Sequence, residues 1–231
     1  MDSTAFTIVL VSRSRPKMLH DLYRSVRDTS WLDNDMIVGL DLDDPLLPGY
    51  FDLFRDIESV TFVVSKRLDN LHVRINALLP TIISRYILVL NDDCLLTRDG
   101  WDRYAVEILD NFGPVVYGRT NDNSIDKVGQ YASFPIVSKA AAHMLGFIMD
   151  DTFGNHGSDV ITYRIYQEAG KVVDLQDVKI DHVFHNSVES LLTRSTEKTA
   201  VDMANRTYAD ENFSVLNLFN RDVSGKSDLL C

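Results

Sequence analysis

Residues 86–96 read YILVLNDDCLL. Five apolar or aromatic residues, Tyr86 to Leu90, run unbroken into Asn91-Asp92-Asp93. A short, continuous run of this kind is the pattern of a strand covered on both faces. Polar residues directly after it sit at the mouth of a sheet, not inside the core. Hard divalent cations take oxygen ligands, commonly one or two carboxylates together with substrate phosphates. The turn therefore suits Mg²⁺ or Mn²⁺ held against a diphosphate. It equally suits a solvated strand end, because Asn and Asp are favoured there for local hydrogen bonding. The turn alone does not choose between the two.

Towards the N-terminus the pattern repeats. Phe6–Val11, Met36–Leu40 and Val60–Val64 read as strands. Pro16 opens a helical pattern (Leu19, Leu22, Tyr23, Val26) that runs to about Thr29. Leu71–Ile83 is helical in spacing, with Pro80 expected to end or kink it. Strands alternating with helices predict an α/β sheet of largely parallel strands. In such sheets ligands bind at the carboxyl ends of strands. Ser12-Arg13, Asp41 to Asp44, Lys66-Arg67 and Asn91 to Asp93 all fall at such ends.

Towards the C-terminus the pattern is mixed. Val115–Tyr117 and Phe134–Val137 read as strands, and Ser138 to about Leu145 as a helix. A helix is expected over Ser158–Ala169, closed by Gly170. Val172–Leu175 and Val178–Val183 read as two short strands, and the chain beyond Val188 as polar and helical. The last residues, Asp222 to Cys231, read as a loose tail.

The 231 residues carry a formal net charge of −11. An acidic chain is not built for broad phosphate-backbone binding, although a local basic patch is compatible with it. A chain this long buries about 70% of its unfolded surface. The two cysteines, Cys94 and Cys231, offer neither metal-ligand spacing nor a disulfide framework, so a reducing cytoplasm is the expected compartment. The apolar stretch Thr4 to Val11 is too short to span a bilayer, and the polar run after it is unlike a signal cleavage site.

The order of these motifs resembles GT-A fold glycosyltransferases, especially family-2-like ones, over roughly residues 5 to 187. The apolar strand before Asn91-Asp92-Asp93 matches the strand that leads to that family's Asp-x-Asp, and HVRINALL (72–79) is similar to its Ala-Arg-Asn helix start. FPIVSKAAAHMLGFI (134–148) resembles the strand and helix flanking the acceptor cleft. The run from Asp150 to Asn186 resembles the stretch from a catalytic acid to a metal-binding histidine.

The resemblance implies a single GT-A (Rossmann-like) domain over 1–221. Its mixed, mainly parallel sheet would be flanked by helices, with a nucleotide-sugar half at about 1–95 and an acceptor half at 96–221. It implies a nucleotide-sugar donor, UDP being the common base, and Mn²⁺ or Mg²⁺ as cofactor. On the donor side it points to Ser12, Arg13, Asp41, Asp43, Lys66, Arg67, Arg74, Asn76, Asn91 and Asp92. Asn91 stands where the family has its first acid, a departure at a ribose or metal contact. Asp93 matches the last acid, the usual metal ligand. Asp159 matches the general base, which takes the proton of the acceptor hydroxyl. An Asp in a helix's first turn also has purely structural reasons to be there.

His182 and His185 both lie in KIDHVFHN (179–186), the family's C-terminal metal element. Three residues apart on a strand, they face opposite sides. His182 shares a face with Val178 and Ile180 and is the preferred ligand; His185 is the possible second. The acceptor stays open among saccharides, lipid-linked sugars, proteins and modified nucleic acid. Two other readings stand beside the transferase. A nucleotidyltransferase is disfavoured by the absence of Gly from VSRSRPKML (11–19). The other is a non-catalytic nucleotide- or sugar-binding module.

Overall fold

A computed structural model describes residues 4–122, 131–152 and 157–183. His185, the tail from Asp222 and the polar stretch beyond Val188 lie outside them. Eight strands form one sheet in the order β3-β2-β1-β4-β7-β6-β8-β5. Their ranges are β1 Phe6–Ser12, β2 Asn34–Asp41, β3 Val60–Ser65, β4 Tyr86–Val89, β5 Cys94–Leu96, β6 Tyr117–Asn121, β7 Ile136–Ser138 and β8 Val172–His182. The helices are α1 Pro16–Thr29, α2 Leu47–Leu53, α3 Leu71–Asn76, α4 Trp101–Phe112, α5 Lys139–Leu145 and α6 Ser158–Glu168. None of them is long and apolar enough to cross a membrane.

The first four strands are all parallel: β1 pairs with β2 and β4, and β2 with β3. β7 then runs antiparallel to both β4 and β6, β6 parallel to β8, and β5 antiparallel to β8. Apolar side chains fill both faces of the central strands. Ile8, Leu10, Val38 and Leu88 join one buried cluster, and Val9, Ile37, Ile87 and Val89 the other. This two-sided burial is why the strands read as unbroken apolar runs. Gly118 lets β6 lie against its neighbours: a Cβ there would collide with the Leu175 side chain and sit 3.3 Å from Ile136 Cβ.

Several expectations are corrected. The helix expected over 71–83 ends at Asn76, and a 3₁₀ turn over Leu79–Thr81 follows. From Leu78 the bonding turns to the 3₁₀ type, and Pro80, which cannot donate to the Asn76 carbonyl, bars a return to α-helix there. β6 and β7 begin two residues later than expected, at Tyr117 and Ile136. The two strands expected after Gly170 are one, β8. A register shift opposite Thr120/Asn121 absorbs the polar interruption, so the strand continues to a second partner, β5. α2, β5 and α4 were not expected at all. α4 was nevertheless legible, because its buried Trp101, Ala105 and Leu109 recur every four residues.

Candidate active site

The carboxyl ends of β1, β2 and β4 are neighbours in the sheet, so Ser12, Asp41 and the 91–93 turn converge. They border a cleft of about 330 Å³. Of the donor-side residues expected, Ser12, Arg13, Asp41, Arg67, Arg74, Asn91 and Asp92 line it, as does Asp93. Asp43, Lys66 and Asn76 do not. Arg15, Leu68, Asp69 and Leu71 line it as well. The wall thus carries four guanidiniums and four carboxylates, although the chain as a whole is acidic.

Two charge networks organise this wall. In the first, Asp41 is fully buried between two arginines. Arg13 Nη1 donates to Asp41 Oδ2 at 2.9 Å and to Asp43 Oδ1 at 2.7 Å. Arg74 Nη2 sits 2.7 Å from Asp41 Oδ1, off the hydrogen-bond axis, so the two atoms form an ion pair without a hydrogen bond. The hydrogen bond and charge of Arg13 hold the Asp43 carboxyl below the usual range. In the second, the Arg15 N–H donates to Tyr50 Oη at 2.9 Å, Ser12 Oγ lies 2.8 Å from that oxygen, and Ser12 Oγ donates to Asp92 Oδ2 at 2.6 Å. Ser12 has one proton and gives it to the carboxylate, so Tyr50 is the donor to Ser12. Arg15 Nη1 also reaches Asp92 Oδ1 at 3.1 Å and Asp93 Oδ2 at 3.6 Å.

The loop between β1 and α1 is held from below. Ser14 takes a left-handed backbone conformation, φ 57°. Asp44 accepts from the Ser14 amide at 2.6 Å, the Ser14 hydroxyl at 3.0 Å and the Leu46 amide at 2.8 Å. The loop thus reaches positive φ without a glycine.

Asp93 and His182 meet across the sheet. Cys94 and His182 are directly opposed in the β5–β8 register, and the Val183 amide donates to the Asp93 carbonyl at 2.9 Å. His182 Nε2 lies 3.0 Å from Asp93 Oδ1, and its ring stands edge-on to Phe134. That 3.0 Å is a hydrogen-bond distance, and it is also the spacing of neighbouring ligands about 2.1 Å from an octahedral ion, so the pair is compatible with a divalent ion as well as with a direct hydrogen bond. A carboxylate oxygen with an imidazole nitrogen is a donor set that divalent metals accept. Asp93, Cys94 and His182 each offer a donor atom within 4.8 Å of the others. Burial pushes the Cys94 thiol well up, which disfavours the thiolate a metal needs. The adjacent carboxyls diverge. Burial raises Asp92 despite Ser12 and Arg15. Burial also acts on Asp93, but the His182 contact outweighs it and holds that carboxyl low.

Asp159 lies in the first turn of α6, half-buried, with Oδ1 accepting the Val160 amide at 2.9 Å. It is not on the cleft wall. Its charge reaches Tyr117, whose hydroxyl is raised well above its usual range by burial first and Asp159 second. Lys66 is exposed beyond β3. Among residues not singled out from the sequence, Arg15 belonged to a loop with two arginines and no pattern to rank them. Tyr50 acts from a helix that left no clear periodic signal, and Asp44 lay within the Asp41–Asp44 strand end without being ranked above its neighbours.

No protein-family model matches the chain, and comparison with curated proteins gives no match. Solved structures do match. S. aureus TarS residues 1–349 in complex with UDP superposes with a TM-score of 0.63 at 10% identity, over 77% of this chain and 60% of that one. The mannosyltransferase PcManGT from Pyrobaculum calidifontis, in complex with GDP-Man and Mn²⁺, gives 0.62 at 10% identity, over 77% and 56%. TarS 1–349 with UDP-GlcNAc gives 0.59 at 9% identity, over 80% and 62%. The fold is the GT-A arrangement that the motif order suggested. The chain spans about three fifths of the length of the TarS 1–349 structures.

Proposed function

We propose that this protein is a metal-dependent glycosyltransferase that moves a sugar from a nucleotide-sugar, a UDP-sugar by first choice, to an acceptor hydroxyl with inversion. The observation that carries the reading is the cleft at the ends of β1, β2 and β4, whose wall carries four guanidiniums and Asp93, with His182 3.0 Å from that carboxylate. The GT-A fold and the UDP, UDP-GlcNAc or GDP-Man in complex with its structural neighbours support it.

Asp93 and His182 hold Mn²⁺ or Mg²⁺. The ion, when bound, offsets charge on the departing diphosphate. Arg15 and Arg67 face the same cleft and bind phosphate oxygens. Ser12 and Tyr50 hold Asp92 in place beside Asp93. Arg13 and Arg74 fix Asp41, which leaves that wall to receive base or ribose. Asp159 takes the proton from the acceptor hydroxyl as its oxygen bonds to the anomeric carbon. The bond from that carbon to phosphate breaks, and its electron pair leaves with the nucleoside diphosphate. The acceptor class is one that carries a free hydroxyl: a saccharide, a lipid-linked sugar, a protein or a modified nucleic acid.

The test is thermal unfolding with UDP, GDP, ADP and CDP, each with and without Mn²⁺, followed by product analysis on the matching nucleotide sugar. Ligand at about a hundred times its dissociation constant adds about 2.7 kcal/mol, or roughly 5–10 °C for a chain of this size. One diphosphate is expected to give a Mn²⁺-dependent rise, and its sugar conjugate to release nucleoside diphosphate. Pyrophosphate release would mean a nucleotidyltransferase, binding without turnover a binding module. No shift with any of the four would overturn the reading.

A further inference from the structure

Asn76 belongs to the helix that lines the cleft, yet its side chain is committed elsewhere. Nδ2 donates to the Met149 carbonyl at 2.8 Å and to Asp151 Oδ2 at 3.3 Å. Oδ1 accepts the Ile148 amide at 2.9 Å and the Met149 amide at 3.0 Å. Two donors and two acceptor sites are all that a side-chain amide has, so Asn76 is saturated. At the other end of α3, Asn70 Oδ1 caps the helix by accepting from the His72 and Val73 amides. Its Nδ2 donates to the Asp151 carbonyl at 2.8 Å. The two asparagines therefore bracket α3 and both grip residues 148–151.

That segment is tied on its far side to α6. The Asp150 amide donates to Thr162 Oγ1 at 2.9 Å, and Thr162 is fully buried. Thr162 lies three residues after Asp159, on the same face of the helix. A continuous chain of hydrogen bonds thus runs from the cleft helix, which carries Leu71 and Arg74 on the wall, to the helix that carries Asp159.

We propose that Asn70 and Asn76 are positioning residues: through residues 148–151 and Thr162 they set Asp159 relative to the donor cleft. The proposal rests on the reading of Asp159 as the base. α3 has six residues and too few internal hydrogen bonds to hold its own place; Ile75 in the core and the Arg74–Asp41 pair tie it to the sheet, and its contacts to 148–151 tie it to the Asp159 side. A displacement of about 1 Å at a reacting group costs about 100-fold in rate. Asn76 is only half-buried, so water replaces its bonds in N76A and the fold survives.

The experiment measures sugar release from UDP-GlcNAc and from GDP-mannose, with Mn²⁺ and water as acceptor, in the wild type, N76A and T162V. It also measures UDP and GDP affinity by calorimetry and amide exchange at Ile148 and Met149. N76A and T162V are each expected to lower kcat about 10- to 100-fold, with KM and nucleotide affinity within twofold. N76A should also speed exchange at Ile148 and Met149. Loss of KM and affinity in step with kcat would make Asn76 a plain cleft residue and overturn the proposal. So would unchanged kcat in both variants. If the wild type binds UDP or GDP but releases no sugar from either donor, the transferase reading fails first and the positioning role falls with it. Faster exchange in N76A would then report a structural clamp alone.

Discussion

The two ends of the sheet are built by different rules. From β3 to β4 the strands are parallel, β2, β1 and β4 are buried on both faces, and each strand delivers its polar residues to one edge. From β7 to β5 the pairings are shorter and mostly antiparallel, and the functional residues come together through register. Asp93 and His182 are 89 positions apart in the chain. They meet because β8 runs past its irregularity opposite Thr120 and pairs with the three-residue strand β5. In the first region a side chain reaches the site because its strand ends there. In the second it does so because of what its strand pairs with.

The sharpest way to break this contrast is at Asp159. D159N is expected to cut turnover at least 100-fold, the lower end for loss of a general base, with nucleoside diphosphate affinity within twofold. Retained turnover would leave the second region with a structural role only, and the base would have to come from the first. Smaller effects follow at the junction between the regions. H182A and D93N should each weaken Mn²⁺ binding, measured by calorimetry, by at least the 10- to 100-fold that loss of even an outer partner costs. C94S should stay within twofold. A larger effect of C94S than of H182A would move the ion towards the buried thiol.

The smallest effect lies wholly in the first region. Burial pushes the Asp44 carboxyl up, but the Ser14 and Leu46 amides and the Ser14 hydroxyl outweigh it, so its folded value lies below the ordinary one. Its contribution to stability is therefore complete above about pH 4 and is lost as pH falls through the folded value. D44N should melt about 2–4 °C lower than wild type at neutral pH, with the gap closing in acid. A gap that stays constant with pH would show that the Ser14 loop is held by shape rather than by charge.

Legibility followed the same division. The strand-end residues Ser12, Arg13, Asp41, Asn91, Asp92 and Asp93 were readable because parallel strands announce themselves as apolar runs with polar ends. Asn76 was expected on the donor side, and its side chain bonds to 148–151 instead of lining the cleft. Its position in HVRINALL says that it is on the helix, but not that the helix ends there or that its side chain faces 148–151. Arg15, Tyr50 and Asp44 act through bonds to residues 30 to 77 positions away, and no local pattern encodes such a partner.

The sequence by itself determined the α/β class, the four parallel strands, the polar mouth after Leu90 and the break at Pro80. Each follows from local patterning of side chains, or from a proline that cannot donate and must clash. The resemblance paired Asp93 with His182, but only the tertiary structure decided the register that joins them, that Asp41 lies between Arg13 and Arg74, and that Asn76 faces residues 148–151. These depend on strand order, register and burial, and burial forces each charged or polar group to find a partner wherever the fold has brought one.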